Sequence, residues 1–414
     1  MTLSPTANDA PARAALWAMV VGFSLRVLWA LLVPVDPVSD SAMYDAFARS
    51  IAAGHGYSYP EGTPTAFWPV GTAAVYGVLY LLFGISFNAI VVLHVVVGSA
   101  LIWLTYRLAD VGFGHRTGVI AAWIVATWPL LIQFTTVLAS ELLFTVLLLA
   151  ALCAWSLRSS HWALRTLIWA ALMSAAMYMR PTVLPLFVAL PLLQLWRDRN
   201  LREALGSLVV VLLTAAVLIG PWAVRNQALF GKPVLVSTNF GANLWMGNNP
   251  NSEGAYMPLL ADAPGNEVEQ DAWYRRKATD FIRRDPLRYV ELTARRFFIT
   301  FSRETIGVVW NEKGLARVGM YRAIAPLKVG STIFWWAVAG LSLVGLALAW
   351  RRGTLDPFNP ILLTGALLVA VPLLTVGQDR YHIPLNPLLA IFAAHALASL
   401  WRSPSQPPAC KEPS

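Results

Sequence analysis

Two carboxylates and three arginines lie at the ends of long apolar runs in this sequence: Asp40, Glu141, Arg180, Arg225 and Arg380. A charge next to the hydrocarbon of a membrane is costly, so such a residue is expected to serve a site or to have a charged partner. A carboxylate can take a proton from a hydroxyl group. The planar fork of arginine binds phosphate oxygens in pairs. The set therefore indicates a site in which a hydroxyl group is activated beside a phosphate.

Purely structural interpretations compete with this one. Asp40 could simply cap the helix predicted from residue 41 to 53, because aspartate accepts hydrogen bonds at a helix start. Arg180 and Arg225 could anchor the ends of their spans to lipid phosphates. Glu141 is harder to explain in this way, because an acid that opens an apolar run needs a partner. No metal-ligand spacing, glycine-rich phosphate loop or nucleophile elbow occurs in the sequence, so no metal ligand is predicted.

Apolar helices must position these residues. Of the 414 residues, 57% are hydrophobic and 13% are charged, with a mean hydropathy of +0.57. Soluble domains have about 25% charged residues, so a soluble globular protein is excluded, as are disordered and fibrous chains. Ten runs can cross a bilayer core of roughly 30 Å as helices. These runs are 14–33, 86–108, 117–134, 140–157, 163–179, 182–196, 205–222, 329–350, 358–376 and 383–401. The shorter run 69–84 is predicted to be an interfacial or re-entrant helix.

The distribution of arginine predicts the orientation. Most arginines that flank the spans fall in one set of short loops, and such loops stay in the cytoplasm. Both termini are therefore expected in the cytoplasm, and the segments 34–85 and 223–328 on the outer side. The basic residues behind the net charge of +9 are explained by this topology, so no nucleic-acid partner is expected. The absence of eukaryotic sorting signals favours a bacterial inner membrane.

This topology divides the chain into four parts. Residues 1–222 form an N-terminal transmembrane catalytic module whose first outer loop is 34–85. Residues 223–328 form a periplasmic or extracellular region with juxtamembrane helices, predicted at about 267–284 and 287–302. Residues 329–402 form the C-terminal transmembrane helices, and residues 403–414 form a flexible cytoplasmic tail.

The motifs in the first outer loop carry a family resemblance. Asp40 is followed four residues later by Tyr44, and then by the stretch Gly54-His55-Gly56-Tyr57. This pattern resembles the family-39 glycosyltransferases of the GT-C superfamily, which also contains the protein O-mannosyltransferases and the lipid A aminoarabinose transferase. Further matches lie at Ser140-Glu141, Met179-Arg180-Pro181, 221–226, 243–250 and 380–384.

The resemblance implies an all-α polytopic fold of the GT-C type, with outward-facing juxtamembrane helices and a small outer domain. It implies inverting transfer of a sugar from a polyprenyl-phosphate-linked donor to a hydroxyl group on a glycan, lipid or protein at the outer face. Asp40 would be the catalytic base and Glu141 the second acid. No cofactor is required, although a divalent metal between the two acids is left open. Membrane lipid surrounds the spans. The residues expected to bind the substrates are Tyr44, His55, Tyr57, Arg180, Arg225, Arg380, Tyr381 and His382.

The sequence departs from the family at one motif and leaves two other functions open. Trp68-Pro69-Val70-Gly71 stands where the family often has Arg-Pro-Pro-Gly. If the family's arginine contacts the donor phosphate, then Arg180, Arg225 or Arg380 must make that contact in this protein, or the donor differs. A polysaccharide polymerase or ligase would instead use the 223–328 segment for its chemistry. A transporter of a lipid-linked sugar would favour charges at mid-membrane and a duplicated set of spans, and no duplication is present.

Overall fold

The computed structural model describes residues 9–156, 161–356 and 359–400. Within these ranges the chain forms helices and a single isolated β-bridge, between Ser58 and Pro64. The predicted tail 403–414 lies outside the described residues. The helices are α1 (Asp9–Leu32), α2 (Asp40–Ala52), α3 (Gly71–Phe83), α4 (Phe87–Phe113), α5 (His115–Ala126), α6 (Pro129–Gln133), α7 (Ser140–Ser156), α8 (Trp162–Met179), α9 (Leu186–Asp198), α10 (Leu201–Phe230), α11 (Phe240–Gly247), α12 (Glu267–Arg284), α13 (Pro286–Phe301), α14 (Ile306–Val309), α15 (Glu312–Arg317), α16 (Ile324–Arg351), α17 (Pro360–Leu374) and α18 (Asn386–Leu400).

Five helical stretches are long and apolar enough to cross a membrane: Ala12–Leu32, Phe87–Phe113, Leu201–Phe230, Tyr321–Arg351 and Asp379–Leu400. A sixth is added if α5 and the stretch Pro129–Thr136, which meet at an angle of 54°, form one broken span. Shorter apolar helices are Gly71–Phe83, Ser140–Ser156, Pro181–Trp196 and Pro360–Leu374. Within the described ranges, the spans predicted from the sequence coincide with helical stretches, except that 117–134 is divided between α5 and the bent stretch Pro129–Thr136, and α8 forms the run predicted at 163–179.

Prolines set two of the helix ends that matter for the site. Pro129 is the first residue of α6, and its missing N–H interrupts the helix that α5 would otherwise continue. Pro181 follows α8, and a proline disfavours helical backbone at the residue before it. Arg180 accordingly has extended backbone, with φ −150° and ψ 116°, and α8 ends at Met179. The guanidinium of Arg180 thus starts from the end of a helix.

The start of α2 differs from the prediction. Ser39 stands at the capping position, but neither its side chain nor that of Asp40 caps the helix, so the predicted cap is wrong. The φ of Ser39 is 54°, whereas a capping residue normally has extended backbone. Asp40 belongs to the first turn of the helix. At the other end, Gly54 follows the last turn with a φ of 81°, in the left-handed region that glycine commonly adopts after a helix.

The buried apolar residues form one large core and smaller satellites. The large core joins the membrane-type helices α1, α4, α5, α7, α8, α16 and α18. A small core outside it combines α11 and α12 through Trp245, Met246, Tyr274 and Ala278. Close helix packing depends on glycine where α16 crosses α18, because a Cβ on Gly345 would collide with the carbonyl oxygen of Phe392. Val376, which follows α17, belongs to the small core as well, so the segment 223–328 packs against the C-terminal part of the chain.

Candidate active site

Arg380 bridges the two carboxylates that the sequence singled out. Its Nη2 lies 2.6 Å from Oδ2 of Asp40, and its Nη1 lies 3.9 Å from Oε1 of Glu141. Arg180 forms an ion pair with the same Oε1 of Glu141 through its own Nη2. The side chain of Glu141 is completely buried, whereas that of Asp40 is 25% exposed. Both acids therefore lie next to one guanidinium group.

Four separate elements supply these side chains. Asp40 lies in the first turn of α2, and Glu141 is the second residue of α7. Acids are favoured in the first turn of a helix, because the unpaired N–H groups there carry partial positive charge. Arg180 follows α8, and Arg380 lies in the 3₁₀ segment Asp379–Leu385 that leads into α18. The site is therefore assembled only when these helix ends meet.

Further side chains hold the two guanidinium groups in place. Nε of Arg180 donates to Oγ of Ser140 at 3.0 Å, and Nε of Arg380 donates to Oε1 of Gln378 at 2.7 Å. The ring of Tyr381 lies 5.6 Å from the guanidinium carbon of Arg180 and 5.4 Å from that of Arg380, within cation–π range. The ring of Trp310 lies 5.1 Å from that of Arg380. Sequence reasoning found Tyr381 and missed Gln378 and Trp310.

Tyr44 lies buried beside the acids. Burial raises the pKa of its phenol to about 12, and the negative charges of Asp40 and Glu141 add to the rise. The hydroxyl therefore keeps its proton at neutral pH and can serve as a hydrogen-bond donor. The structure thus places Tyr44 beside Asp40 and Glu141.

Arg225 has a different environment from Arg180 and Arg380. Its Nη1 donates to the carbonyl oxygen of Thr65 at 2.7 Å, and its Nη2 donates to that of Tyr57 at 2.9 Å. Its guanidinium carbon also lies 4.5 Å from the ring centre of Trp222. In this structure Arg225 binds the backbone of the first loop, and a phosphate would have to compete with these carbonyls.

The other two candidates of the first loop, Tyr57 and His55, have different surroundings. The hydroxyl of Tyr57 donates to the carbonyl oxygen of Trp68 at 3.1 Å, and its ring packs 4.7 Å from that of Phe47. His55 is exposed in the turn that follows α2. Tyr57 thus has a packing role in this structure, and the structure does not bring His55 to Asp40.

Glu267 also holds the first loop and lies close enough to Arg225 for their charges to interact. Its Oε2 accepts from Oγ1 of Thr65 at 2.8 Å, and its Oε1 accepts from the backbone N–H of Ala66 at 2.6 Å. Burial raises the pKa of this carboxyl above its usual value. Sequence reasoning missed Glu267, because an acid at the start of a polar helix gives no signal of a partner 200 residues away.

His382 belongs to a buried cluster behind the site. Its Nδ1 lies 2.6 Å from the carbonyl oxygen of Thr300, and its Nε2 lies 3.3 Å from Oε1 of Glu304. Glu304 also accepts from Nε1 of Trp128 at 3.0 Å and from Nδ2 of Asn386 at 2.9 Å. Burial raises the pKa of the Glu304 carboxyl. Sequence reasoning missed Glu304, although an isolated acid between two apolar runs was a usable signal.

The two acids do not fit a bridging metal ion in this arrangement. In the described part of the chain, no group of three or more His, Cys, Asp or Glu side chains is placed to hold one. The guanidinium of Arg380 itself stands between Asp40 and Glu141, where a shared cation would be bound. A positive side chain at that position opposes a second cation there.

Comparisons with known proteins show a fold of the GT-C type, which confirms the fold class predicted above. Residues 68–224 match the family model described as dolichyl-phosphate-mannose-protein mannosyltransferase. No curated protein matches the chain. Combined with the apolar helices, the fold makes this a multi-pass membrane protein.

Two of the similar structures are of the archaeal oligosaccharyltransferase AglB from Archaeoglobus fulgidus. Its complex with an inhibitory peptide and a dolichol-phosphate has a TM-score of 0.56 and 13% identity, covering 96% of this chain and 51% of that one. Its form tethered to an acceptor peptide has a TM-score of 0.58 and 14% identity, covering 95% and 50%. The chain thus spans about half the length of AglB. ArnT from Cupriavidus metallidurans, bound to undecaprenyl phosphate, has 15% identity over 95% of this chain and 79% of that one, but its TM-score of 0.42 supports no structural argument.

Proposed function

We propose that this protein is an inverting glycosyltransferase that moves a sugar from a polyprenyl-phosphate-linked donor to a hydroxyl group at the outer face of the membrane. The observation that carries the proposal is the position of Arg380, which contacts both Asp40 and Glu141 while Arg180 pairs with Glu141. A base and two oriented guanidinium groups are what transfer from a sugar phosphate requires. The dolichol-phosphate in the AglB complex supports a lipid phosphate as carrier.

The reaction follows from these groups. The acceptor oxygen attacks the anomeric carbon from the face opposite the phosphate, while Asp40 takes the hydroxyl proton. The bond between the anomeric carbon and the phosphate oxygen breaks, and its electrons leave with the phosphate. Arg380 and Arg180 stabilise the charge that grows on that oxygen. The products are the glycoside with inverted configuration and the polyprenyl phosphate.

Glu141 is assigned to orienting a substrate hydroxyl. Its Oε1 is engaged by both arginines, whereas its buried Oε2 has no hydrogen-bond partner in the described part of the chain. A buried carboxylate oxygen without a donor is unfavourable, and a hydroxyl group of the bound donor or acceptor would supply one. Other contacts select the acceptor class, which is a glycan, a lipid or a protein.

Location and organisation are part of the same proposal. The distribution of arginine supports a membrane protein with both termini in the cytoplasm and the site facing outward, and the absence of eukaryotic sorting signals favours a bacterial inner membrane. Residues 1–222 would then be the catalytic module, 223–328 the outer region, and 329–402 the C-terminal transmembrane part. Since Arg380 comes from the last part, the catalytic module is completed only by the C-terminal helices.

An in-vitro transfer assay tests the function. The purified full chain in nanodiscs is given a panel of radiolabelled polyprenyl-phosphate sugars with glycan, lipid and peptide acceptors. We expect a glycosylated acceptor with inverted configuration and release of polyprenyl phosphate. Asp40→Asn should reduce the rate about 10²–10⁴-fold, as loss of a general base does. Asp45→Asn is the matched control, because Asp45 is on the same helix but pairs with Arg49 and Tyr80.

Other outcomes would contradict the proposal in different ways. Movement of the lipid-linked sugar across a proteoliposome membrane without transfer would indicate a transporter. Chain extension that survives Asp40→Asn would indicate a polymerase working through the 223–328 region. A product with retained configuration would exclude a single displacement at the anomeric carbon.

A further inference from the structure

We propose that Arg380 holds Asp40 in an ion pair until the phosphate of the donor takes its place, so that donor binding releases the catalytic base. The inference rests on the proposed function and adds an order to it. The donor must bind before the acceptor hydroxyl can lose its proton.

The first step is that Asp40 is engaged. Its Oδ2 accepts a charge-assisted hydrogen bond from Nη2 of Arg380 at 2.6 Å, and the Arg380 side chain is only 10% exposed. Such bonds are roughly twice as strong as neutral ones. This bond occupies Oδ2 and ties the carboxylate to Arg380, so Oδ2 must leave Nη2 before it can accept a proton from an incoming hydroxyl group. The base is therefore held by the same cation that the leaving phosphate needs.

The second step is that Arg380 keeps its position without Asp40. Its Nε donates to Gln378 at 2.7 Å, and the rings of Trp310 and Tyr381 lie 5.1 and 5.4 Å from its guanidinium carbon. These contacts leave the Nη2 edge to whichever anion is bound there. A phosphate oxygen can replace the Asp40 carboxylate at this edge, one anion for another, and arginine suits both.

The third step concerns the backbone beside the base. Ser39 has a φ of 54°, in the left-handed region that non-glycine residues seldom occupy. Such a conformation persists where the surroundings enforce it, and the next residue, Asp40, is held by its ion pair with Arg380. Loss of the ion pair therefore leaves the start of α2 freer to turn the Asp40 carboxylate toward the acceptor.

Thermodynamic reciprocity turns the proposal into a binding experiment. If the phosphate must displace Asp40 from Arg380, removing the carboxylate charge must tighten phosphate binding. The dissociation constant of undecaprenyl phosphate is measured by calorimetry on the full chain in nanodiscs. We expect Asp40→Asn to bind this probe at least about fivefold more tightly than the wild type, the lower end of typical coupling. Asp45→Asn removes the same charge from the same helix and should leave the constant unchanged.

A double-mutant cycle isolates the route through Arg380. In an Arg380→Gln background, Asp40→Asn should no longer tighten binding, because there is no shared guanidinium to compete for. Tightening that persists in this background would mean simple repulsion between Asp40 and the phosphate, and would overturn the inference. Equal affinity of the wild type and Asp40→Asn would overturn it as well. If Asp40→Asn fails to fold, Asp40→Ser removes the same charge and gives the same comparison.

The proposed function fails separately. If the wild type neither binds undecaprenyl phosphate nor transfers sugar, the proposed function is wrong, and the proposed order of binding is wrong with it. If the wild type transfers sugar and its affinity for the lipid phosphate does not depend on Asp40, only the masking of the base is wrong.

Discussion

Glu141 and Arg180 form an ion pair across the antiparallel helices α7 and α8, at the start of one and just past the end of the other. The glutamate side chain is completely buried, so the pair exists in surroundings that strengthen Coulomb attraction. Nε of Arg180 is also bonded to Ser140, the neighbour of Glu141. The ion pair and this hydrogen bond therefore hold the start of α7 against the end of α8.

Glu141→Gln tests this ion pair. Breaking a buried pair leaves one charge uncompensated and costs about 3–5 kcal/mol of unfolding free energy; the remaining Ser140 contact of Arg180 favours the lower value. We also expect a large loss of transfer rate. Thermal unfolding monitored in nanodiscs, together with the transfer assay, measures both effects. The exposed Glu61→Gln is the control, and comparable effects from the two substitutions would argue against a site role for Glu141.

Arg380→Lys and Arg225→Lys should have different effects. Lysine keeps the charge at position 380 but loses the fork that reaches Asp40 and Glu141 together, so we expect the transfer rate to fall about a hundredfold. Arg225 holds backbone carbonyls of the first loop, so its replacement should mainly lower the melting temperature. Steady-state kinetics and melting curves on both variants separate the roles. Equal losses of turnover in the two variants would indicate that Arg225 also binds the phosphate.

Glu267 gives the stability of the first loop a pH dependence. Because burial raises its pKa in the folded state above the unfolded value near 4.5, the folded protein binds its proton more tightly than the unfolded chain. Its contribution to stability is therefore highest below that value and falls as the pH rises through the folded pKa. Glu267→Gln cannot titrate, so its melting temperature should show a weaker decline than the wild type between pH 4 and 7. Parallel curves for the two proteins would contradict this assignment.

Glu304 should stabilise the segment that carries Arg380. Glu304→Ala leaves the buried donors of Trp128 and Asn386 without an acceptor, at a cost of about 1–3 kcal/mol for each group. A lower melting temperature and a reduced transfer rate are expected together, because His382 lies two residues from Arg380. Glu312→Ala removes a partly exposed salt bridge with Lys328 and should cost less than about 1 kcal/mol. Equal losses in the two variants would exclude a supporting role for the cluster.

Properties that depend on local composition were readable from the sequence. Long apolar runs can only be satisfied as helices in a membrane, and the predicted spans coincide with helices in the described residues. The polar helix predicted at 267–284 has those bounds in α12. The acids and arginines at span ends were also visible, because a charge beside apolar residues stands out in one dimension.

Which of those charges meet was decided by tertiary structure alone. Asp40 and Arg380 are 340 residues apart, and nothing in their neighbours distinguishes Arg380 as a partner from Arg225. The choice depends on which helix ends come together: α10 directs Arg225 to the loop carbonyls, whereas the 3₁₀ segment before α18 directs Arg380 between the acids. The partners of Glu267 and Glu304 were hidden for the same reason. Ion pairs and hydrogen bonds act over a few ångströms in space, and only packing of the whole bundle brings such distant residues within that range.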